Sequence, residues 1–208
     1  MDIFIKTFLL FFVLLNPFTL SIYLLEVIKA FDLRRFSRLL TWASFLSLAA
    51  FVFFALAGDA LFAQVLQVQF SSFQIFGGIT FLIIGIRLIL GMGPPMEALR
   101  PESSQLSGAI AMPLIVGPGT ISASVFAGSR LDPALACLCI VLALFVAILS
   151  IILFKVIHDH VLRRNEIYLQ RYTDIAGRVT ALFTGSYAVE MIFKGIGGWL
   201  PVLTSTSL

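Results

Sequence analysis

Charge is scarce in this chain. Only 12% of its 208 residues are Asp, Glu, Lys or Arg, against roughly 25% in soluble domains. Polar sequence is scarce too: the longest polar stretch, about 158–174, is too short to fold alone, so no soluble domain is left over. There are two cysteines, Cys137 and Cys139, and helical geometry points residues two apart in different directions, which excludes a disulfide between them. No serine–histidine pairing, HExxH or GxxxxGK[ST] occurs, so an enzyme is not expected. The "HDH" at 158–160 falls on an inner connection and is not read as a metal site, and no cofactor is expected.

What is present is apolar. The chain is 60% hydrophobic with a mean hydropathy of +1.04. Several runs approach the ~20 apolar residues that cross a bilayer. Six membrane spans are expected, at about 7–28, 40–58, 73–92, 108–128, 134–157 and 174–195. Lys6 ahead of an apolar run imitates a signal peptide, but no small-residue cleavage site follows, and span one is read as a retained helix.

The formal net charge is +3, and its placement matters more than its size. Lys29, Arg34, Arg35 and Arg38 follow span one, and Lys155, Arg163, Arg164 and Arg171 follow span five. No Lys or Arg separates spans two and three, and only Arg130 separates spans four and five. Short basic connections stay in the cytoplasm, which puts both termini outside. Arginines at helix ends meet anionic headgroups of membrane lipids, so nucleic acid is not the expected partner.

Two stretches of the chain occur twice. "PFTLS" at 17–21 returns as "PGTIS" at 118–122, an offset of 101. "IFGGITFLIIG" at 75–85 returns as "IAGRVTALFTG" at 175–185, an offset of 100. The unit is three spans, residues 1–100 and 101–208. Three is odd, so the second copy enters the membrane from the other side. The expected fold is an all-α membrane protein of six transmembrane helices in two inverted three-helix repeats, a pattern of secondary transporters.

Spans one and four are expected to be broken at mid-membrane, at Asn16–Pro17 and at Gly117–Pro118–Gly119 with Pro113 one turn earlier. Non-helical backbone at that depth is tolerated only against protein or a water-filled cavity. Each break starts a half-helix with free N–H groups and a partial positive charge. Thr19 and Thr120 fall in the first turns of those half-helices, with Ser21 and Ser122 following. Such a cradle suits a carboxylate, while the carbonyls left by the preceding halves suit an ammonium, with Asn16 able to serve either end. No Asp, Glu, Lys or Arg lies at the expected midplane, which fits a small zwitterionic ligand with an uncharged side chain. Read blandly, the same residues are two structural kinks with threonines bonded back to carbonyls.

Gly77, Gly78 and Gly85 in span three and Gly177 and Gly185 in span six are expected to pack helices closely. Thr80 and Thr180 are candidates to reach a cavity. Glu190, with Lys194 four residues on, is a candidate for the pathway or for ion coupling, as are Ser21 and Ser122.

The "NPFT" of span one, "GGITFLIIGIRLIL" of span three and "AMPLIVGPGTIS" of span four resemble the MarC family. That family includes small neutral amino acid transporters of the SnatA type. The resemblance covers essentially the whole chain, with "GPGT" after "AMP" as its most specific element. It implies a bacterial or archaeal inner-membrane protein with two inverted three-span repeats, transporting glycine, alanine or serine. One departure is "VEMIFKGI" at 189–196, where the family usually shows Gln in place of Glu190. The other is a short connection between spans three and four. The rival readings are a transporter of another small solute or drug in the same fold, and a non-transporting membrane scaffold. A coupling ion, proton or sodium, is left open.

Overall fold

The computed structural model describes residues 2–60, 69–90, 105–162 and 166–205, with the side chains of these residues except at 59, 60, 88, 113, 161–174, 176, 177, 180 and 200–205. Every regular element among the described residues is helical. In chain order they are α1 (Asp2–Leu15), α2 (Pro17–Tyr23), α3 (Leu25–Ala30), α4 (Leu33–Ala60), α5 (Phe70–Ile89), α6 (Leu106–Ala109), a π-helical turn (Ile110–Ile115), α7 (Pro118–Arg130), α8 (Pro133–Leu162) and α9 (Glu166–Ser205).

Four stretches of the described residues are long and apolar enough to cross a membrane: Asp2–Tyr23 taken across Asn16, Leu33–Gly58, Phe70–Arg87 and Pro133–His160. The six expected spans are therefore met in part. The stretch expected at 108–128 is divided between α6, the π turn and α7, each too short to cross alone. The stretch expected at 174–195 lies inside the 40-residue α9, and Arg178, Glu190 and Lys194 dilute its apolar character.

α4 and α8 share one plan. Phe31 and Leu131 are both extended, at φ −113°, ψ 147° and φ −120°, ψ 153°. The carbonyls of Asp32 and Asp132 then accept the first helical bonds, from Phe36 and Ala136. Each helix thus starts at an aspartate, a favoured N-cap type, about seven residues before the start expected for span two and one before that expected for span five. The buried stripe of α4, with Phe36, Leu40, Ala43 and Phe51, recurs in α8 as Ala136, Ile140, Ala143 and Ile151. The reverse faces carry exposed Trp42, Phe45, Leu149 and Leu153. Apolar surface of that extent is a lipid face.

The plan breaks at the far end of the stripe. In α4 it ends on Ala55 and Gly58, and there α7 lies directly on α4: a side chain at Gly128 would run into the Ala55 carbonyl, and one at Gly58 into Val125. The corresponding residues of α8 are Lys155 and His158, both 2% exposed. Lys155 Nζ donates to the Ile28 carbonyl of α3 at 2.7 Å and to Asp159 at 2.8 Å. Lys155 is therefore not a headgroup residue of the basic connection, as its position suggested. A buried ammonium needs such partners, because burying a charge without them is costly.

α5 and α9 pack along each other through small residues. A side chain at Gly78 would meet the Ala188 carbonyl at 2.7 Å, and one at Gly85 the backbone nitrogen of Gly185 at 3.3 Å. Close backbone approach of this kind is how membrane helices associate. Gly128→Ala is expected to push α7 away from α4 and to lower stability by about 1–3 kcal/mol, the usual range for overpacking. Thermal unfolding in detergent measures it, and an unchanged melting temperature would mean that the α4–α7 contact is looser than described.

Candidate functional site

Both breaks follow from proline. Pro17 has no N–H, and its ring disfavours helical backbone at the residue before it. Asn16 responds with φ 39° and ψ 72°, the one positive φ at a non-glycine among the described residues. Asparagine tolerates that region better than other residues do. Its Oδ1 then accepts the Thr19 N–H at 3.1 Å. Donors are withdrawn from the end of α1: Pro17 has none to offer Val13, and the Thr19 N–H is turned away from Leu15 to the Asn16 side chain.

The second break is longer. Met112, ahead of Pro113, is extended at φ −123°, ψ 123°, as a residue before proline prefers. The Val116 N–H reaches back five residues to Ala111 at 2.8 Å. Gly117 is extended, and α7 begins at Pro118. Here the cap residue has no side chain to offer the third helical N–H, and the capping bond that forms is the reverse one, from the cap N–H to the third helical side chain. Thr120 Oγ1 accepts the Gly117 N–H at 2.9 Å and lies within donating distance of the carbonyls of Ile115 (2.9 Å) and Gly117 (3.0 Å).

The two breaks therefore divide a capping box between them. The first uses the side chain of the cap residue, Asn16, and the second that of the third helical residue, Thr120. The consequence is an asymmetry between the two threonines. The Thr120 hydroxyl is saturated by its own helix end. The Thr19 hydroxyl is buried and has no hydrogen-bond partner among the described residues.

The breaks meet at a cavity of about 250 Å³. Asn16, Thr19, Gly117, Gly119 and Thr120 all line it, so five of the residues singled out by sequence come together. Pro17 and Pro118 are not in the lining; they set the backbone, and Pro118 packs so close to Gly77 that a side chain there would collide with the ring. Ser21 and Ser122 each donate to the carbonyl of the proline four residues earlier, at 2.8 Å. Thr80 is not in the lining either: its hydroxyl bonds back to the Phe76 carbonyl at 3.0 Å. The side chain of Thr180 lies outside the described residues.

α5 and α9 close the cavity with residues that sequence reading missed: Phe81, Ile84, Phe183, Thr184 and Tyr187. Tyr187 lies against Gly119, where an added Cβ would stand 3.2 Å from its Cε1. Tyr23 was missed too, although it follows Thr19 by one helical turn. No charged side chain is in the lining among the described residues.

Glu190 belongs to a second cavity of about 380 Å³, with Gln74, Ser122, Ser129 and Lys194. It pairs with Lys194 at 3.3 Å, both side chains more than half exposed. Leu14 and Tyr187 line both cavities and form the partition between them.

These features define a helical integral membrane protein with a small, uncharged cavity where two interrupted helices meet. The chain belongs to the MarC family of integral membrane proteins, whose pattern it matches over residues 1–200. It is similar to a UPF0056 membrane protein of Archaeoglobus fulgidus, 28% identical over 62% of each chain. One of Aquifex aeolicus is 28% identical over 58% of this chain and 59% of its own. One of Methanocaldococcus jannaschii is 26% identical over 95% of this chain and 97% of its own. The match thus spans about six tenths of the first two relatives and nearly all of the third. No solved structure matches the chain.

Thr120→Val would leave the Gly117 N–H and the Ile115 carbonyl without their partner. It is expected to lower the stability of the empty protein by about 1–3 kcal/mol, the usual loss for a buried group left unsatisfied. Thr19→Val removes a hydroxyl that has no partner and should leave stability unchanged or raised. Melting curves of the two variants in detergent compare them, and equal destabilisation would contradict the divided cap.

Proposed function

We propose that this protein is a secondary transporter of small neutral amino acids, of the glycine, alanine and serine type, in a prokaryotic inner membrane. It works by alternating access between two inverted three-span repeats, residues 1–100 and 101–208. The observation that carries this reading is the cavity itself, built where both interrupted helices end and begin, with polar groups from each and no charged side chain. A zwitterion brings its own counter-charge and needs none from the walls. The carbonyls freed at Val13 and Leu15 suit its ammonium, and hydroxyl and N–H groups around the breaks suit its carboxylate.

The shared burial pattern of α4 and α8 and the paired breaks support the repeat. The basic residues Arg34, Arg35, Arg38, Arg163 and Arg164 support an inner location for the first and fifth connections, with both termini outside. Size argues against the drug-transporter alternative: about 250 Å³ falls below the ~300–1,000 Å³ of pockets for drug-sized ligands. Glu190 and Lys194 stand at the rim of the second cavity, where an amino acid and a coupling proton or sodium ion would enter.

Uptake of labelled glycine, alanine and serine into proteoliposomes tests the proposal. Saturable uptake of at least one is expected, and Glu190→Gln should retain it, since a rim residue does not hold the substrate. Absence of uptake for all three would overturn the reading in favour of another solute or a scaffold. Complete loss in Glu190→Gln, with normal expression, would move the site to the second cavity.

A further inference from the structure

Thr19 and Tyr23 lie four residues apart on α2, and therefore on one face of it. Both line the cavity. Each is only 7% exposed, and neither hydroxyl has a hydrogen-bond partner among the described residues. A buried hydroxyl left unpaired works against the fold, and here two stand together. The equivalent half-helix does not share this state. On α7 the corresponding pair, Thr120 and Ser124, is fully engaged: Thr120 with Gly117 and Ile115, and Ser124 with the Thr120 carbonyl at 2.9 Å. Ser21 and Ser122 are engaged as well. Among these first-turn and second-turn hydroxyls, only the two that line the cavity from α2 are idle.

Resting on the transport reading, we infer that Thr19 and Tyr23 form the carboxylate end of the substrate site. Both donate an O–H to the carboxylate of the amino acid, while the α7 side supplies a rigid wall. Thr120 is therefore a positioning residue and not a ligand. The idle hydroxyls make binding favourable in two ways: the carboxylate gains two donors, and two buried groups gain the partner that the empty protein withholds. A hydroxyl donor is neutral, so the pair holds a carboxylate without a fixed cation that would hinder its release. Both hydroxyl oxygens are covered in the empty protein, so both side chains turn to meet the ligand; threonine in a helix has two χ1 wells open to it. The pole thus belongs to the first repeat alone, although the sequence repeat suggested equal shares.

The test separates a binding role from a structural one. L-alanine and L-alanine amide, which lacks the carboxylate, are titrated into the purified protein in detergent. In Tyr23→Phe, L-alanine is expected to bind about 5-fold or more weakly, the loss for a hydrogen bond to a charged group. Binding of the amide should be unchanged, and the empty protein should melt at the same or a higher temperature, since an unpaired hydroxyl has gone. Thr19→Val should behave alike, which keeps the test decisive should Tyr23→Phe fail to fold. Unchanged L-alanine affinity in the folded variants, or equal weakening of acid and amide, would overturn the inference and leave the transport reading standing. Wild-type protein that binds neither glycine, alanine nor serine would overturn both.

Discussion

Backbone polar groups in a bilayer have no water to turn to, so every N–H and C=O must be satisfied by the protein. An interrupted helix violates that demand at its break, and two of the apolar stretches here are interrupted. The structure answers with one device in two halves. At Asn16 the cap residue bends into left-handed backbone and its side chain accepts the Thr19 N–H. At Gly117 the backbone stays extended and Thr120 reaches back. The Gly117 N–H is taken by the Thr120 hydroxyl. The Asn16 N–H is already bonded to the Phe12 carbonyl at 3.1 Å, so no cap donor is left for the Thr19 hydroxyl to accept.

Holding two such breaks together requires the surrounding helices to come close. Pro118 sits against Gly77, Tyr187 against Gly119, and α7 against α4 at Gly128. Each contact depends on a missing side chain. Packing in membranes lacks a strong hydrophobic drive between helices and relies on this kind of close approach. The opposite junction, α3 against α8, is built otherwise. There Lys155 spans the gap and holds the Ile28 carbonyl. α4 and α8 share a burial pattern but are joined to their neighbours differently at corresponding places.

Much of this was legible in the sequence, for definite reasons. Pro17 and Pro118 announce their breaks because proline has no N–H to donate to a helix. The membrane class follows from composition, and the glycines of α5 announce packing. Other features were hidden because they depend on neighbours distant in sequence. Nothing about Thr120 alone says that its hydroxyl is saturated; that depends on the Gly117 N–H turning to it and on the Ile115 carbonyl arriving within 2.9 Å. Phe81 and Tyr187 become cavity walls only through the packing of α5 on α9. Lys155 reads as one more basic residue near a connection until α3 is seen against it. Thr80 illustrates the reverse error: its place in the repeat suggested a role, but its hydroxyl bonds to its own helix.

The central claim is that the two breaks together make one substrate site. A structure determined with L-alanine bound tests it most directly. The account predicts the amino acid between Asn16–Thr19 and Gly117–Thr120, with its carboxylate toward Thr19 and Tyr23 and its methyl group facing the Phe81 side. Density for the ligand beside Glu190 and Lys194, with the cavity between the breaks empty, would contradict it.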